Sequence, residues 1–542
     1  MKLRIKRKVV VDTKTYGRSV LYANITEENL LALPVEEQDK TIIQIMNTVA
    51  QLHEKNKLEC KYLKDFKNGI QDIYSEKQKI TRPDINNKTV ENWAFAFIDF
   101  KKCFLLGKPI QYTQVNDSSS EEIAILNKYC KYEDKKTKDM DIYEDILTCG
   151  RGFRYTNTDE PKEDDEAPFE LINPETEYTE VVYSSGIRHE QLFTFIETPM
   201  QKNERVQLDS GEYEDIIKYY SEYQIYLRNR TFTVTNQIGS ITKVEGSDKP
   251  IILGEHIITE YYINKARISL IEIGKDLFND INYLESLDKD DMEQFVNAIM
   301  VFTNAEVNED DLEEIKELGA VSISSAEGKE AKVELLQQRL KAQDTQTYYS
   351  RLLTSLHQIL GIPMANDNGS VTSGDTGKAK LTGQGYTSAG IRIEGDENMF
   401  DMCDRKCLKT ILAICKSSSS EKSQIKELKV SDIESKFSRD TSDNLLVKTQ
   451  GLLNLYSCDI PREVANSVVN LFNDPNSVSR QQEKLFGKQT ANNKSNQGNT
   501  QTNIETNKKD TFNTEKNTTN VEDVTSEQNN EIQDTLEVQE QS

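Results

Sequence analysis

Apolar residues along this chain recur first at helical spacing, then at strand spacing, then at helical spacing again. Ile42, Ile45, Met46, Val49 and Leu52 share one face of a helix predicted over residues 41–53. Tyr62 to Ile73 continues the pattern, with Asn68-Gly69 as a turn or helix stop. Pro83 to Lys88 is a polar connector. Val90, Trp93, Ala94, Phe97, Ile98, Phe104 and Leu105 form an aromatic stripe on a helix that ends at Gly107-Lys108-Pro109. Residues 121–132 and 140–149 read as two more helices about the charged joint Glu133–Lys138. From Gly150 the period shortens. Residues 169–172, 178–183, 191–196 and 223–235 read as antiparallel strands, with a turn at Arg228-Asn229-Arg230. Pro161 to Ala167 is an acidic, solvated loop.

Helical spacing returns near Ile271. Leu277, Ile281, Leu284, Met292, Phe295 and Ile299 predict a helix to about Phe302, interrupted near Asp288–Asp291. An acidic insert, residues 306–334, carries a short helix at 311–318 and a strand at 320–324. The stretch Leu335 to Cys415 organises the rest. Its first helix has Leu340, Tyr348, Leu352, Leu356 and Ile359 on one stripe, stopped by Gly361 and Pro363. A polar loop follows from Met364 to Gly377, a length that in a compact fold is functional or disordered. Helical character is clearest again from Asn398, with Phe400, Cys403, Cys407, Ile411 and Ile414 aligned. Gly383, Gly385, Gly390 and Gly395 argue against one regular helix over 377–396, since each costs up to about 1 kcal/mol relative to Ala. Beyond Ser417–Ser420 the pattern predicts a β-type run at 427–433, a helix at 443–456 and a helix from Pro461. Residues 487–542 hold Phe512 as their one aromatic and are expected to be disordered. Long helices with such narrow stripes cannot bury themselves alone, and a ring of identical copies would cover them.

Composition narrows the function. The 542 residues are 36% hydrophobic and 29% charged, enough for two or three domains. The net charge is -24, the opposite of the basic patch that grips nucleic acid. The chain therefore does not meet nucleic acid, or meets it without holding it. Its eight Cys include no Cys-x-x-Cys pair, which fits a reducing compartment. Cys403 and Cys407 share a helical face, with core packing as the default and no metal site expected. The four His (His53, His189, His256, His357) are dispersed, and no catalytic constellation or cofactor motif stands out. Met1 to Asp12 alternates basic and apolar residues and reads as a strand or arm, with no secretory signal and no membrane span expected. The segment Gly369–Gly374 invites a phosphate-loop reading but lacks the terminal Gly-Lys-Ser/Thr. Asp375 follows Gly374 and would repel a triphosphate, and a polar-faced helix precedes the segment where a strand belongs.

Four stretches carry a resemblance. They are Tyr62 through Ile80; Asn86-Asn87 with the aromatic helix closing on Phe104-Leu105-Leu106-Gly107-Lys108-Pro109-Ile110-Gln111-Tyr112; Gly150-Arg151-Gly152-Phe153; and the order long helix, insert, long helix, loop from Ile271 to Cys415, including Ile362-Pro363 and Ser373-Gly374. Over roughly residues 40–475 the chain resembles the portal proteins of tailed bacteriophages, in particular the family common in phages of Gram-positive hosts. The resemblance implies a non-enzymatic α+β fold. Its parts would be an N-terminal arm (1–39), a helix-rich wing with an antiparallel β portion (40–265 and 381–440), two stem helices (266–305 and 335–360), a small α/β clip (306–334), a tunnel loop (361–380), a helical crown (441–486) and a disordered tail (487–542). It further implies a homo-oligomeric ring, typically of twelve copies, at one capsid vertex of the virion, assembled in the host cytoplasm. Double-stranded DNA would pass through the ring without sequence specificity. The terminase large subunit would dock first and a head-tail adaptor later, with major capsid and scaffold proteins around the ring.

The DNA-facing loop residues would be Asn366, Asp367, Asn368, Ser370, Thr372, Ser373 and Asp375, with Lys378 and Lys380 as the nearest cations. Short polar and acidic side chains can brush a phosphate backbone but cannot form the bidentate guanidinium contacts that hold one. The competing readings are a P-loop-like, NTP-dependent packaging ATPase and a non-viral helical scaffold or adaptor.

Overall fold

A computed structural model describes residues 4–6, 9–11, 14–80, 83–115, 120–159, 166–207, 213–237, 239–296, 299–303, 305–306, 324–325, 332–336, 342–364, 386–418, 424–438, 445–458, 460, 462–469, 471, 478, 482 and 484. It is a mixed α and β structure in two compact units, 1–444 and 445–542.

In chain order the first unit contains β1 (Arg4–Lys6), β2 (Val9–Val11), β3 (Lys14–Tyr16), β4 (Val20–Ala23), α1 (Glu27–Ala32), α2 (Val35–Lys67), α3 (Ile73–Glu76), α4 (Trp93–Leu106), β5 (Gln111–Gln114), α5 (Ser120–Tyr132) and α6 (Lys135–Cys149). There follow β6 (Gly152–Thr158), β7 (Phe169–Ile172), β8 (Thr179–Ser184), β9 (Gln191–Gln207), β10 (Tyr213–Tyr226), β11 (Arg230–Thr235), β12 (Thr242–Lys243), β13 (Lys249–Pro250), β14 (Ile258–Tyr261) and α7 (Leu270–Val296). Then come β15 (Ile299–Thr303), β16 (Ala305–Glu306), β17 (Ser324–Ser325), β18 (Lys332–Leu336), α8 (Ala342–Leu360), α9 (Tyr386–Ser417) and β19 (Ile433–Lys436). The second unit holds α10 (Leu445–Ser457) and α11 (Arg462–Val469), tied by the Tyr456 hydroxyl donating to Asn466 Oδ1 at 2.6 Å.

One sheet runs β1-β4-β8-β9-β10-β11-β12, with β13 also on β11, and only β4–β8 is parallel. Helix α2 lies on its inner face, where Ile42, Ile45, Met46 and Val49 meet Phe193, Phe195, Ile225 and Phe232. Glu36 and Glu37 in the first turn and Lys64 and Lys67 in the last complement the helix dipole, and Asn68 ends it. A larger apolar core joins α4, α6, α7, α8 and α9 through Phe97, Ile146, Phe278, Leu356, Phe400 and Ile411. Cys403 and Cys407 are buried in it, as their helical spacing predicted.

Two buried ionic clusters fasten these layers. In one, Lys135 Nζ lies 2.7 Å from Asp139 and 3.0 Å from Asp404, while Arg154 bonds Asp139 at 2.7 Å. The Tyr112 and Tyr261 hydroxyls donate to Asp404 at 2.6 and 2.9 Å. This joins α6, β5, β6 and β14 to α9. In the other, Arg151 grips Glu180 with both nitrogens at 2.5 and 2.9 Å, Asn56 donates to Glu180 at 3.0 Å, and His53 bridges Glu180 and Glu197. Burial opposes the charge on Glu180, but Arg151 and His53 outweigh it and hold the carboxyl down at about 2. Burial also opposes protonation of His53, and the two glutamates outweigh that and raise its pKa. Gly150 (φ +85) closes α6 where a Cβ would lie 1.9 Å from the Arg267 carbonyl oxygen, so only glycine permits the α6–β6 turn against that segment.

Several boundaries differ from the sequence pattern. The helix predicted over 41–53 is part of α2, which runs from Val35 and crosses the arm–wing limit at 39/40. Within 1–39, β4 is an inner strand of the large sheet. Helix α6 begins at Lys135 inside the supposed joint, because Lys135 pairs with Asp139 one turn on. Helix α7 passes through Asp288–Asp291 unbroken, since the buried Asp290 accepts from Lys77 at 2.7 Å and from the Asn87 amide at 2.7 Å. It ends at Val296, and Ile299 and Phe302 belong to β15. The second long helix begins at Ala342, and Leu335 lies in β18. Leu340, the 311–318 helix and most of the 320–324 strand fall outside the described residues, as does the tail 487–542. The run at 427–433 is a 3-10 turn leading into β19, which pairs with β5. Of the span 377–396, residues 386–396 are regular helix, with Gly390 and Gly395 inside α9 because Ala389, Ile393 and Phe400 anchor that helix in the core; residues 377–385, with Gly383 and Gly385, lie outside the described residues.

Replacing Asp404 with Ala leaves Lys135 and two tyrosine hydroxyls short of a buried partner. We expect a loss of about 3–5 kcal/mol of stability, read as a lower urea midpoint. For His53 the raised folded value means its contribution is complete below the unfolded pKa of 6.5 and fades as pH rises through the folded value. Glu180 contributes above 4.5 and fades toward 2. The destabilisation by His53→Gln, measured against wild type, is therefore expected to be larger at pH 6 than at pH 9.

Candidate functional site

Helices α7 and α8 pack together and are extended by one antiparallel ladder, Ile299 opposite Leu336 through Thr303 opposite Lys332. The result is a helix–strand–insert–strand–helix unit. Its start is fixed by a capping box: the Ser269 hydroxyl accepts from Glu272 N at 3.1 Å, and Glu272 Oε2 accepts from Ser269 N at 2.8 Å. Glu272 also pairs with Arg18 at 2.6 Å and accepts from Gly17 N at 2.9 Å. Along α7 a polar seam fixes rotation. Asn282 Oδ1 accepts from Glu91 N at 2.8 Å, Ser286 Oγ from Thr89 N at 2.9 Å, and Asp290 holds Lys77. The segment 77–91 is thereby strapped lengthwise to α7.

Helix α8 has a different surface. Thr347, Ser350 and Thr354 donate to carbonyls one turn back, at 2.7, 2.8 and 2.7 Å. Gln343, Gln346 and Gln358 are exposed alongside them. Asp344 is its one acidic residue and Arg351 its one arginine, with no lysine, and the Arg351 guanidinium lies 5.0 Å from the Tyr348 ring. His357 sits edge-on to Phe97 at 4.8 Å, and burial pushes its pKa down. A surface with self-satisfied hydroxyls and almost no cations can slide past phosphates without a grip on them.

The proposed loop residues Asn366, Asp367, Asn368, Ser370, Thr372, Ser373, Asp375, Lys378 and Lys380 all lie outside the described residues. The structure describes the two ends that bracket them. At the first, Gly361 turns the chain at φ +70, and Ile362 N donates to His357 O at 3.0 Å. At the second, Ala389 and Ile393 seat the opening turns of α9 in the core. Arg392 joins the ends, donating from Nη1 to Gln358 O at 2.8 Å and Ile359 O at 3.2 Å. Its side chain lies over Gly361, where a Cβ would sit 2.4 Å from Arg392 Cδ. The stop at Gly361 was legible in the sequence, whereas Arg392 and the 77–91 strap were not. The Ser269-x-x-Glu272 spacing was a signal that could have placed the start of α7. The described element that precedes the Gly369–Gly374 segment is the helix α8, ending at Leu360, whereas a phosphate loop follows a strand.

A family model described as "Phage portal protein, SPP1 Gp6-like" matches residues 47–495. The portal protein of Bacillus phage SPP1 is 24% identical over 228 residues, covering 40% of this chain and 42% of that protein. The chain thus aligns with less than half the length of that curated relative.

Replacing Arg392 with Ala removes the charge-assisted cap from α8. Amide exchange at residues 360–362 is expected to accelerate, with a global cost of about 0.5–1.5 kcal/mol. Unchanged exchange would show that the two helix ends are held independently.

Proposed function

Because the chain belongs to the SPP1 Gp6-like phage portal protein family, we propose that it forms a ring, of twelve copies by analogy, at one capsid vertex, and that double-stranded DNA is packaged and ejected through its channel. The observation that carries this reading is the paired unit α7–β15 and β18–α8 lying within the matched residues. In this reading α7 and α8 are the stem and the intervening insert 306–334 is the clip. The clip docks the terminase large subunit and afterwards the head-tail adaptor. Residues 40–265 and 381–440 form the wing, facing major capsid and scaffold proteins, and 441–486 form the crown. The ring is assembled in the host cytoplasm and resides in the virion.

The role is mechanical, with no chemistry of its own. Each copy carries -24, so the wall repels the phosphates it surrounds. Residues 361–380 project toward the DNA as a short-side-chain fringe. Lys378 and Lys380 make transient phosphate contacts within it. Of the described helices, none is long and apolar enough to cross a membrane.

Electron microscopy of the purified chain is expected to show rings of about a dozen copies, and a monomer at every concentration would overturn the reading. With rings in hand, Asp367→Lys with Asp375→Lys is expected to leave assembly intact. DNA packaging should slow, and the defect should recover as salt rises. Packaging at the wild-type rate would remove the loop from the DNA path.

A further inference from the structure

The hairpin of β9 and β10 is longer than the sheet it belongs to. Strand β8 pairs with β9 only along Gln191–Ile196, and β11 pairs with β10 only along Glu222–Tyr226. Beyond those limits Met200–Gln207 and Tyr213–Tyr220 pair with each other alone. Among the described residues, no third strand covers either edge of this ribbon. Side chains of one parity on β10 share a face. Tyr223 and Ile225 on that face are buried under α2, while Tyr219 and Ile217 continue it at 79% and 54% exposure. The apolar stripe of the core therefore runs on into solvent. A two-stranded ribbon is marginal in water, and its open edges are templates for pairing. On the opposite parity Lys218 meets Glu204 at 2.5 Å, so those charges satisfy each other.

Charge selects the occupant. Copies that each carry -24 repel wherever their acidic surfaces approach. By sequence the two strands of the ribbon sum to zero, with three cations (Lys202, Arg205, Lys218) and three anions (Glu204, Glu214, Asp215), and the residues that join them add Asp209 and Glu212. Like-charged copies can meet along the strands with little of that repulsion. Nucleic acid, which needs a cationic surface, gains nothing from it. We propose that the ribbon Met200–Gln207 with Tyr213–Tyr220 is an arm that one copy of this chain lays against the next, with Ile217 and Tyr219 buried on the neighbour. The inference rests on the ring reading and assigns that ring a contact surface.

The test uses the full chain as wild type, as Ile217→Asp with Tyr219→Asp, and as Ile217→Val with Tyr219→Phe. Oligomer mass is followed against concentration, and monomer melting is recorded in parallel. The aspartate pair is expected to raise the assembly concentration about tenfold or more with monomer melting unchanged, and the conservative pair to assemble like wild type. Assembly of the aspartate pair at the wild-type concentration overturns this inference and leaves the ring reading standing. A wild-type chain that stays monomeric overturns the ring reading itself. Should the aspartate pair not fold, a photo-crosslinking benzoylphenylalanine at position 219 decides the matter. Crosslinks to a second copy support the arm. Crosslinks only within one copy, or only to another virion protein, overturn it.

Discussion

A charge enclosed by protein must find its opposite, and much of this structure follows from how that is met. Lys135, Asp139, Arg154 and Asp404 form a closed set inside the first unit. The set spans helices and strands far apart in sequence. It leaves α9 no freedom to shift without stranding Lys135 beside one carboxylate. Because α9 is fixed, Arg392 is fixed, and with it the joint where α8 ends. The bracket around residues 365–385 is thus held by electrostatics buried well behind it. Such pairs add little net stability compared with apolar packing, but breaking one is costly, so they specify position more than they strengthen it.

The same logic orients α7. Its apolar stripe alone would allow small rotations about the helix axis. Asn282, Ser286 and Asp290 each meet a named partner in the 77–91 segment, and Glu272 meets Arg18 and the Gly17 amide. Directional bonds at both ends of the buried face remove that freedom. Helix α8 has fewer such bonds: the Tyr349 hydroxyl donates to Glu91 at 2.7 Å, and apolar contact with α7, the His357–Phe97 ring contact and the Gly361–Arg392 joint complete its placement. One helix of the pair is therefore keyed along its length to the 77–91 segment, and the other presents a hydroxyl and amide surface.

How much of this was legible in sequence follows from the range of each force. Helix stops at Asn68, Gly107 and Gly361 are local and were readable. So were strands β7, β8 and β11, whose alternation is local too. Strand β6 escaped because Arg154 and Thr156 are buried in it, and a buried arginine looks like a surface residue until its partner is known. Asp139 and Asp404 are remote in sequence, so no window contains both. Gly390 and Gly395 lower helix propensity, but Ile393 and Phe400 in the core override it. The loop side chains named for DNA contact rest on the family likeness, whereas the Gly361 and Arg392 flanks follow from local backbone and side-chain geometry.

The ladder between β15 and β18 has a mechanical corollary. Axial slip of β15 past β18 would have to shear every bond of that ladder together, and a slip by one residue would turn each strand's side chains to the wrong side. The two strands are therefore locked in register beside the packed pair α7 and α8. A load on that ladder is shared between α7, anchored by its polar seam on the 77–91 segment, and α8, which ends at the Gly361–Arg392 joint.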